Sequence, residues 1–166
     1  MNRKEITAEL SQQLKNYINP YNDPRIYYAT EVTFDYATPK ECRIDFMQFK
    51  PKNNSVSGIE QGLFIAYEIK SSVEDFNSGH GCNWHIADKS YLVTTEEVFT
   101  QVRHLLPHWV GCIAPDSWGN MRVIKNAKVH DRDKPINELL LMMFRSSNRE
   151  LYKLRKEILR NEFRLT

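Results

Sequence analysis

Glu68 and Lys70 stand two residues apart at the end of the apolar run Leu63-Phe64-Ile65-Ala66-Tyr67. The run is short and rich in aromatic and branched residues, which reads as a largely buried strand. Side chains alternate along a strand, so Ala66, Glu68 and Lys70 share one face and Ile65, Tyr67 and Ile69 the other. Charges at the end of a core strand are seldom left without a partner or a task. An ion pair where the strand meets solvent is the plain explanation. Two earlier segments supply a richer one. Asp45 lies between Ile44 and Phe46 in the strand-like stretch Cys42 to Phe49, although Asp is disfavoured in strand interiors. Glu31 lies within Arg25 to Tyr36, on the face shared by Ala29 and Thr33.

If these three segments pair in order as a meander, three carboxylates lie on one sheet face with the lysine beside them. Clustered carboxylates repel one another, and a divalent cation resolves the repulsion. Mg²⁺ or Mn²⁺ takes one or two carboxylates, waters and a substrate phosphate, polarises a phosphoryl oxygen and lowers the pKa of a bound water. A neighbouring lysine can orient that water or stabilise charge developing on phosphorus. The chemistry implied is metal-assisted phosphodiester hydrolysis.

The elements that position these residues are readable in outline. Lys4 to Ile18 has an amphipathic helical pattern, with Ile6, Leu10, Leu14, Tyr17 and Ile18 in one stripe and Glu9 flanking it. Asn19 to Pro24 stops that helix, and Lys50 to Gly62 reads as a polar loop of hairpin type. After Lys70, Ser72 can cap a short helix, with Asp75 completing a variant capping box. The loop Asn77 to His85, with two glycines, a tryptophan and hydrogen-bonding side chains, is more distinctive than an ordinary connector. A strand at Tyr91 to Thr95 is followed by a helix from Thr95 to about Leu106. Strands at Trp109 to Ala114 and Met121 to Asn126 then flank the turn Pro115 to Asn120. From about Pro135 the chain reads as helical, and Arg145 to Thr166 holds seven basic residues against three acidic ones. Leu151, Leu154, Ile158 and Leu165 run along that segment at about heptad spacing.

At 166 residues the chain fits one domain, with a core at about 1–126 and C-terminal helices at about 135–164. Charged residues at 27% and hydrophobic residues at 41% exclude wholesale disorder, and a net charge of +2 does not by itself announce a nucleic-acid partner. No run approaches the roughly 18 apolar residues of a membrane span, and MNRKEITAEL has no signal core, so a cytoplasmic location is the default expectation. Cys42, Cys82 and Cys112 are odd in number and widely spaced, which suggests neither a disulfide framework nor a zinc ribbon. His80, Cys82 and His85 can be read as metal ligands, as can His104 and His108, but Pro107 breaks the helix that the latter spacing needs.

Asp45 followed by Glu68-Ile69-Lys70, on a hairpin after an N-terminal helix, resembles the PD-(D/E)xK, or restriction-endonuclease-like, nuclease superfamily. Glu68-Ile69-Lys70-Ser71-Ser72-Val73-Glu74-Asp75-Phe76, preceded by Arg43-Ile44-Asp45, is similar to the MmcB-like DNA repair branch and to small nuclease-like proteins of phages and prophages. The resemblance covers roughly Ile26 to Thr95. It implies an α/β fold, a restriction-endonuclease-like central mixed sheet flanked by helices, with an added C-terminal helical element. It further implies Asp45, Glu68 and the Ile69 carbonyl as ligands of Mg²⁺ (or Mn²⁺), with Lys70 as the catalytic lysine. The family's further acid falls to Glu31 or Glu9, and Glu31 is favoured because Arg43-Ile44-Asp45 follows it on the next strand. Where the MmcB-like segment continues with a basic, aromatic helix, this chain has Gly79 to His85.

The expected function is therefore Mg²⁺-dependent hydrolysis of DNA, in repair, recombination or phage DNA metabolism. Lys89, His80 and Asn83 are weaker candidates for contacting the scissile strand, and the basic C-terminal helix for contacting phosphates. The heptad-like stripe permits a homodimer. The competing expectation is a catalytically inactive DNA- or protein-binding module on the same fold.

Overall fold

In the computed structural model, which describes residues 2–164, six strands form one mixed sheet whose spatial order is their chain order. β1 (Tyr27–Phe34), β2 (Cys42–Lys50) and β3 (Leu63–Ile69) are the antiparallel meander expected from sequence. β4 (Lys89–Val93) and β5 (Gly111–Pro115) continue the sheet in parallel with β3, and β6 (Met121–Lys125) closes it antiparallel. The parallel joins need crossovers. They are supplied by α3 (Val73–Asn77) with its long loop and by α4 (Glu96–Val102).

The alternation along β3 decides which helix covers which face. Ile65, Tyr67 and Ile69 pack with Leu10, Leu14 and Ile18 of α1 (Arg3–Ile18). Phe64 and Ala66 pack instead with Leu139 and Met143 of the C-terminal helix, and Leu92 of β4 packs with Val98 and Val102 of α4. α1 begins with a capping box in which Asn2 Oδ1 accepts from Glu5 N at 3.0 Å and Asn2 N donates to Glu5 Oε2 at 2.8 Å.

Two elements differ from expectation. The Lys50 to Gly62 loop contains a one-turn helix, α2 (Val56–Glu60), capped by Ser55, whose Oγ accepts from Gly58 N at 3.0 Å. The C-terminal helices are one continuous helix, α5 (Ile136–Arg164), whose first half packs on β1. From Leu151 to Glu162 every residue of α5 is exposed. The stripe Leu151, Leu154 and Ile158 is therefore on the surface, and Leu165 lies outside the described residues.

The alternation in β1 and β2 also changes phase. Ile44 and Met47 belong to the core on the α5 face, whereas Phe46 packs with α1. Across the pair, Thr30 opposes Phe46 and Val32 opposes Ile44. Between them Glu31 adopts φ 51°, in the left-handed region that non-glycine residues rarely visit. α5 holds this kink from outside: buried Ser146 donates its hydroxyl to the Thr30 carbonyl, and Arg149 donates to the Glu31 carbonyl at 2.7 Å. Ser146→Ala removes one of these tethers and leaves a carbonyl under-satisfied. Urea unfolding should show a loss of about 1–3 kcal/mol. A loss indistinguishable from zero would mean that the tether does not hold the kink.

Candidate active site

Asp45 does in the structure what a strand residue normally does with its backbone. The β2–β3 ladder runs from Lys50 opposite Leu63 to Phe46 opposite Tyr67 and stops there. One step further, Ile69 N donates to the Asp45 carboxylate, Oδ2, at 2.8 Å. β2 remains paired with β1 down to Cys42 while it parts from β3. A cleft of about 1010 Å³ lies here, lined by Asp45, Glu68, Ile69 and Lys70 among others.

Glu68 and Lys70 follow on the same strand face, as expected from sequence. Both are almost sealed from solvent, with side-chain exposures of 7% and 5%. Lys70 Nζ lies 3.5 Å from Glu68 Oε1 and also donates to the His80 carbonyl. The lysine backbone is fixed from β4: Lys70 N donates to the Val93 carbonyl at 3.0 Å, and Thr94 Oγ1 donates to the Lys70 carbonyl at 2.5 Å. The seal over Glu68 is the loop after α3. Gly81, at φ +80°, brings bare backbone so close that a Cβ there would lie 1.8 Å from Glu68 Oε1. Only glycine meets both the angle and the distance.

The electrostatics follow from this burial. Glu68 Oε2 is buried without a hydrogen-bond partner. Desolvation, with the Asp45 charge adding to it, pushes the Glu68 carboxyl up to about 9, against the pull of Lys70. Asp45 is raised as well, first by burial, while the Ile69 N–H and Lys70 hold it down. The Asp45 charge thus opposes ionisation of Glu68, and the Glu31 charge adds a smaller push on Asp45. The ion pair of Glu68 with Lys70 is present, and Asp45 is near enough to bear on the Glu68 carboxyl.

The serine turn after Lys70 is structural. Ser72 Oγ accepts from Asp75 N at 3.1 Å, and the Asp75 carboxylate reaches back to Ser71 N at 3.1 Å. Asp75 also pairs with Arg3 of α1, so the N-terminal helix is tied to the exit of β3. The capping expected of Ser72 and Asp75 is present, with the back-bond falling on Ser71.

The remaining site expectations are met unevenly. His80 and Asn83 line the cleft, His80 acting on Lys70 through its carbonyl. Glu31 stays out: its half-exposed side chain lies 3.9 Å from Arg43, outside the cleft lining. The left-handed turn at Glu31 breaks the alternation from which its inward direction was read. Glu9 stays out too, exposed on α1 and accepting from Gln13 Nε2 at 3.2 Å. Lys89 opens β4 and lines a different pocket. Among the described residues, no group of three or more His, Cys, Asp or Glu side chains is arranged to hold a metal ion.

The sequence offered the basic C-terminal helix as a phosphate contact, but not the cationic rim it completes with Arg43 and Arg3. Arg145 and Arg149 of α5, Arg43 of β2 and Arg3 of α1 all line the cleft. Arg43 and Arg3 face Glu31 and Asp75, while Arg145 meets no carboxylate among the described residues. The excess of arginine in the C-terminal segment was the available signal, but its direction depends on how α5 docks.

The raised Glu68 carboxyl has a measurable sign. The folded protein keeps this proton to about pH 9, whereas an unfolded glutamic acid releases it near 4.5, so between those values the folded state holds more protons. Stability is full below the lower value and falls as pH rises through the window. Glu68→Gln removes that slope. Its melting temperature relative to wild type should rise steadily from pH 5 to pH 9, and parallel pH profiles for the two proteins would refute the burial of an ionisable Glu68.

No family model matches this chain, and no curated protein matches it. Among solved structures it is similar to the SPO1766 protein of unknown function from Silicibacter pomeroyi, at 18% identity and a TM-score of 0.57. The alignment covers 93% of this chain and 92% of that one. What the likeness shows is the fold: an α/β arrangement with a six-stranded mixed sheet flanked by helices and closed by a C-terminal helix.

Proposed function

We propose that the cleft hydrolyses phosphodiester bonds of DNA with the help of a divalent cation. The observation that carries this reading is the convergence of Asp45, Glu68 and Lys70 in one cleft, with an orphaned, buried carboxylate oxygen on Glu68. Two neighbouring acids, one of them with an oxygen that has no hydrogen-bond partner, are an oxygen donor set short of a cation. Asp45, Glu68 and the Ile69 carbonyl would hold Mg²⁺ or Mn²⁺, the rest of its shell coming from water and substrate phosphate. Once bound, the ion supplies Lewis-acid polarisation of the phosphoryl oxygen and a more acidic water.

The protein's own groups divide the remaining work. Arg145, with no acidic partner among the described residues, and Arg149 offer guanidinium forks that suit phosphate oxygens and position a strand without reading its bases. Lys70 is placed to orient a water or to meet charge developing on phosphorus. For it to act, the Gly79 to Gly81 loop must lift from Glu68 and release the lysine from the His80 carbonyl. Gly79, at φ +70° with nothing within 4 Å of an added Cβ, is a free hinge for that movement.

The same seal favours a second reading, a DNA- or protein-binding module in which Glu68 stays protonated and the lysine serves only to hold the loop. Two measurements separate them. Wild-type protein with Mg²⁺ or Mn²⁺ should cut plasmid, single-stranded or branched DNA, and Lys70→Ala should cut about 10²–10³-fold more slowly. Mn²⁺ should also raise the melting temperature of the wild type, since a ligand of the folded state alone stabilises it. Cutting at equal rates by both proteins would overturn the site assignment, and no cutting with no thermal shift would favour the binding module.

A further inference from the structure

The other face of the sheet carries a second, smaller pocket of about 390 Å³, within the usual range for small-molecule sites. It exists because α1 is too short to cover the sheet. The helix ends at Ile18, and beyond it the first residues of β3 and β4 and the last residues of β2 lie open. The register lays out the floor. Gln48 opposes Ile65, which opposes Lys89, and one step outward Lys50 opposes Leu63. Tyr67 and Tyr91 stand behind them with rings stacked at 5.9 Å, and Tyr17 of α1 walls the near side.

The polar groups of this pocket are donors. Lys50 and Lys89 pair with no carboxylate among the described residues. The one acid next in sequence, Asp88, is turned to the opposite face, where it accepts from Phe64 N at 2.8 Å and pairs with Arg132. Gln48 is buried, its Oε1 is used by the Tyr67 hydroxyl at 2.9 Å, and its amide nitrogen donates to nothing among the described residues. Burial raises the Tyr67 and Tyr17 phenols, so both remain protonated at neutral pH. A concave site with an aliphatic floor, aromatic walls, two unpaired ammonium groups and a spare amide donor lacks only an acceptor.

We propose that this pocket binds a small organic anion, a phosphate or carboxylate carried on a planar apolar body. Lys50, Lys89 and the Gln48 amide take the oxyanion, and the body stacks against Tyr17 and Tyr91 over Ile65. The pocket is separate from the cleft. α1 touches the cleft at Arg3 and Thr7 and this pocket at Tyr17, ten or more residues on, which at 1.5 Å per residue is about 15–20 Å away.

Calorimetric titration tests the proposal with four probes: adenosine 5′-monophosphate, benzoate, inorganic phosphate and adenosine. Saturable binding of the nucleotide or of benzoate is expected, with inorganic phosphate and adenosine each at least about tenfold weaker, because each lacks one half of the recognised chemistry. Preference between nucleotide and benzoate identifies phosphate or carboxylate as the oxyanion. Lys50→Ala with Lys89→Ala should weaken binding at least about tenfold, a loss typical of removing charge-assisted hydrogen bonds. Both lysines are at the surface end of the pocket, so the variant should fold, as a melting curve will verify. Lys70→Ala should bind as wild type does, which keeps the result independent of whether the cleft is a nuclease. No saturable binding of any probe, or binding that survives loss of both lysines, would overturn the proposal, as would equal binding of adenosine and its monophosphate.

Discussion

One hydrogen bond sets the geometry of the candidate site: Ile69 N donating to the Asp45 carboxylate. An aspartate is a poor strand residue because its short polar side chain competes with the backbone for hydrogen bonds. Here that competition is used. The carboxylate takes the donor that the next residue of β2 would have taken, so β2 parts from β3 without leaving a buried amide unpaired. The parting opens the cleft beside Glu68, and the residue that opens it presents a charge to it. Any residue able to continue the ladder at this position would bring the strands together and narrow the space. The cleft and its first carboxylate are thus one feature.

The second constraint is the absence of room over Glu68. A carboxyl group buried beside another acid and under glycine backbone holds its proton well past neutrality, and Lys70 is too occupied with the His80 carbonyl to prevent it. The molecule therefore keeps Glu68 neutral and covered, with Lys70 held beside it. The cationic rim is not neutralised in this way. Arg3 is held by Asp75, and Arg149 by the Glu31 carbonyl of the β1 kink and the Ser146 hydroxyl of α5, whereas Arg145 meets no carboxylate among the described residues. The resting cleft accordingly offers more positive than negative charge to an approaching ligand, which favours anions before any cation is present.

How much of this was legible in the sequence depended on whether the signal was local. Asp45, Glu68 and Lys70 stood out because each breaks the composition rule of its own strand, and the β1–β2–β3 order follows from short connections. Ser72 and Asp75 were readable because capping is confined to four residues. Glu31 was misdirected because strict alternation assumes an unbroken strand, and nothing local in Thr-Glu-Val announces a left-handed residue. The five-residue α2 was hidden in a segment that reads as turn, where Ser55 gives only a cap signal. Arg145 and Arg149 were legible only as part of a basic helix suited to phosphates, and Arg3 not at all. They come from the two ends of the chain, and their meeting at β3 is a property of the packed helices.

The cover over Glu68 and Lys70 also bounds how the proposed chemistry would proceed. A cation or phosphate that needs the Glu68 carboxylate must displace Gly81, free Lys70 and remove the glutamic proton together, because the three are joined by contact. Binding affinity is then lowered by the cost of opening, in proportion to the fraction of molecules already open. Coupling of this kind is reciprocal: whatever stabilises the lifted loop tightens the ligand, and the ligand stabilises the lifted loop. A strand of nucleic acid held by Arg145 and Arg149 at the rim, beside the loop it must move, is well placed to supply part of that free energy. On the proposed function, substrate would in this way prepare the site for its own metal, and the protein without substrate would keep Glu68 protonated and covered.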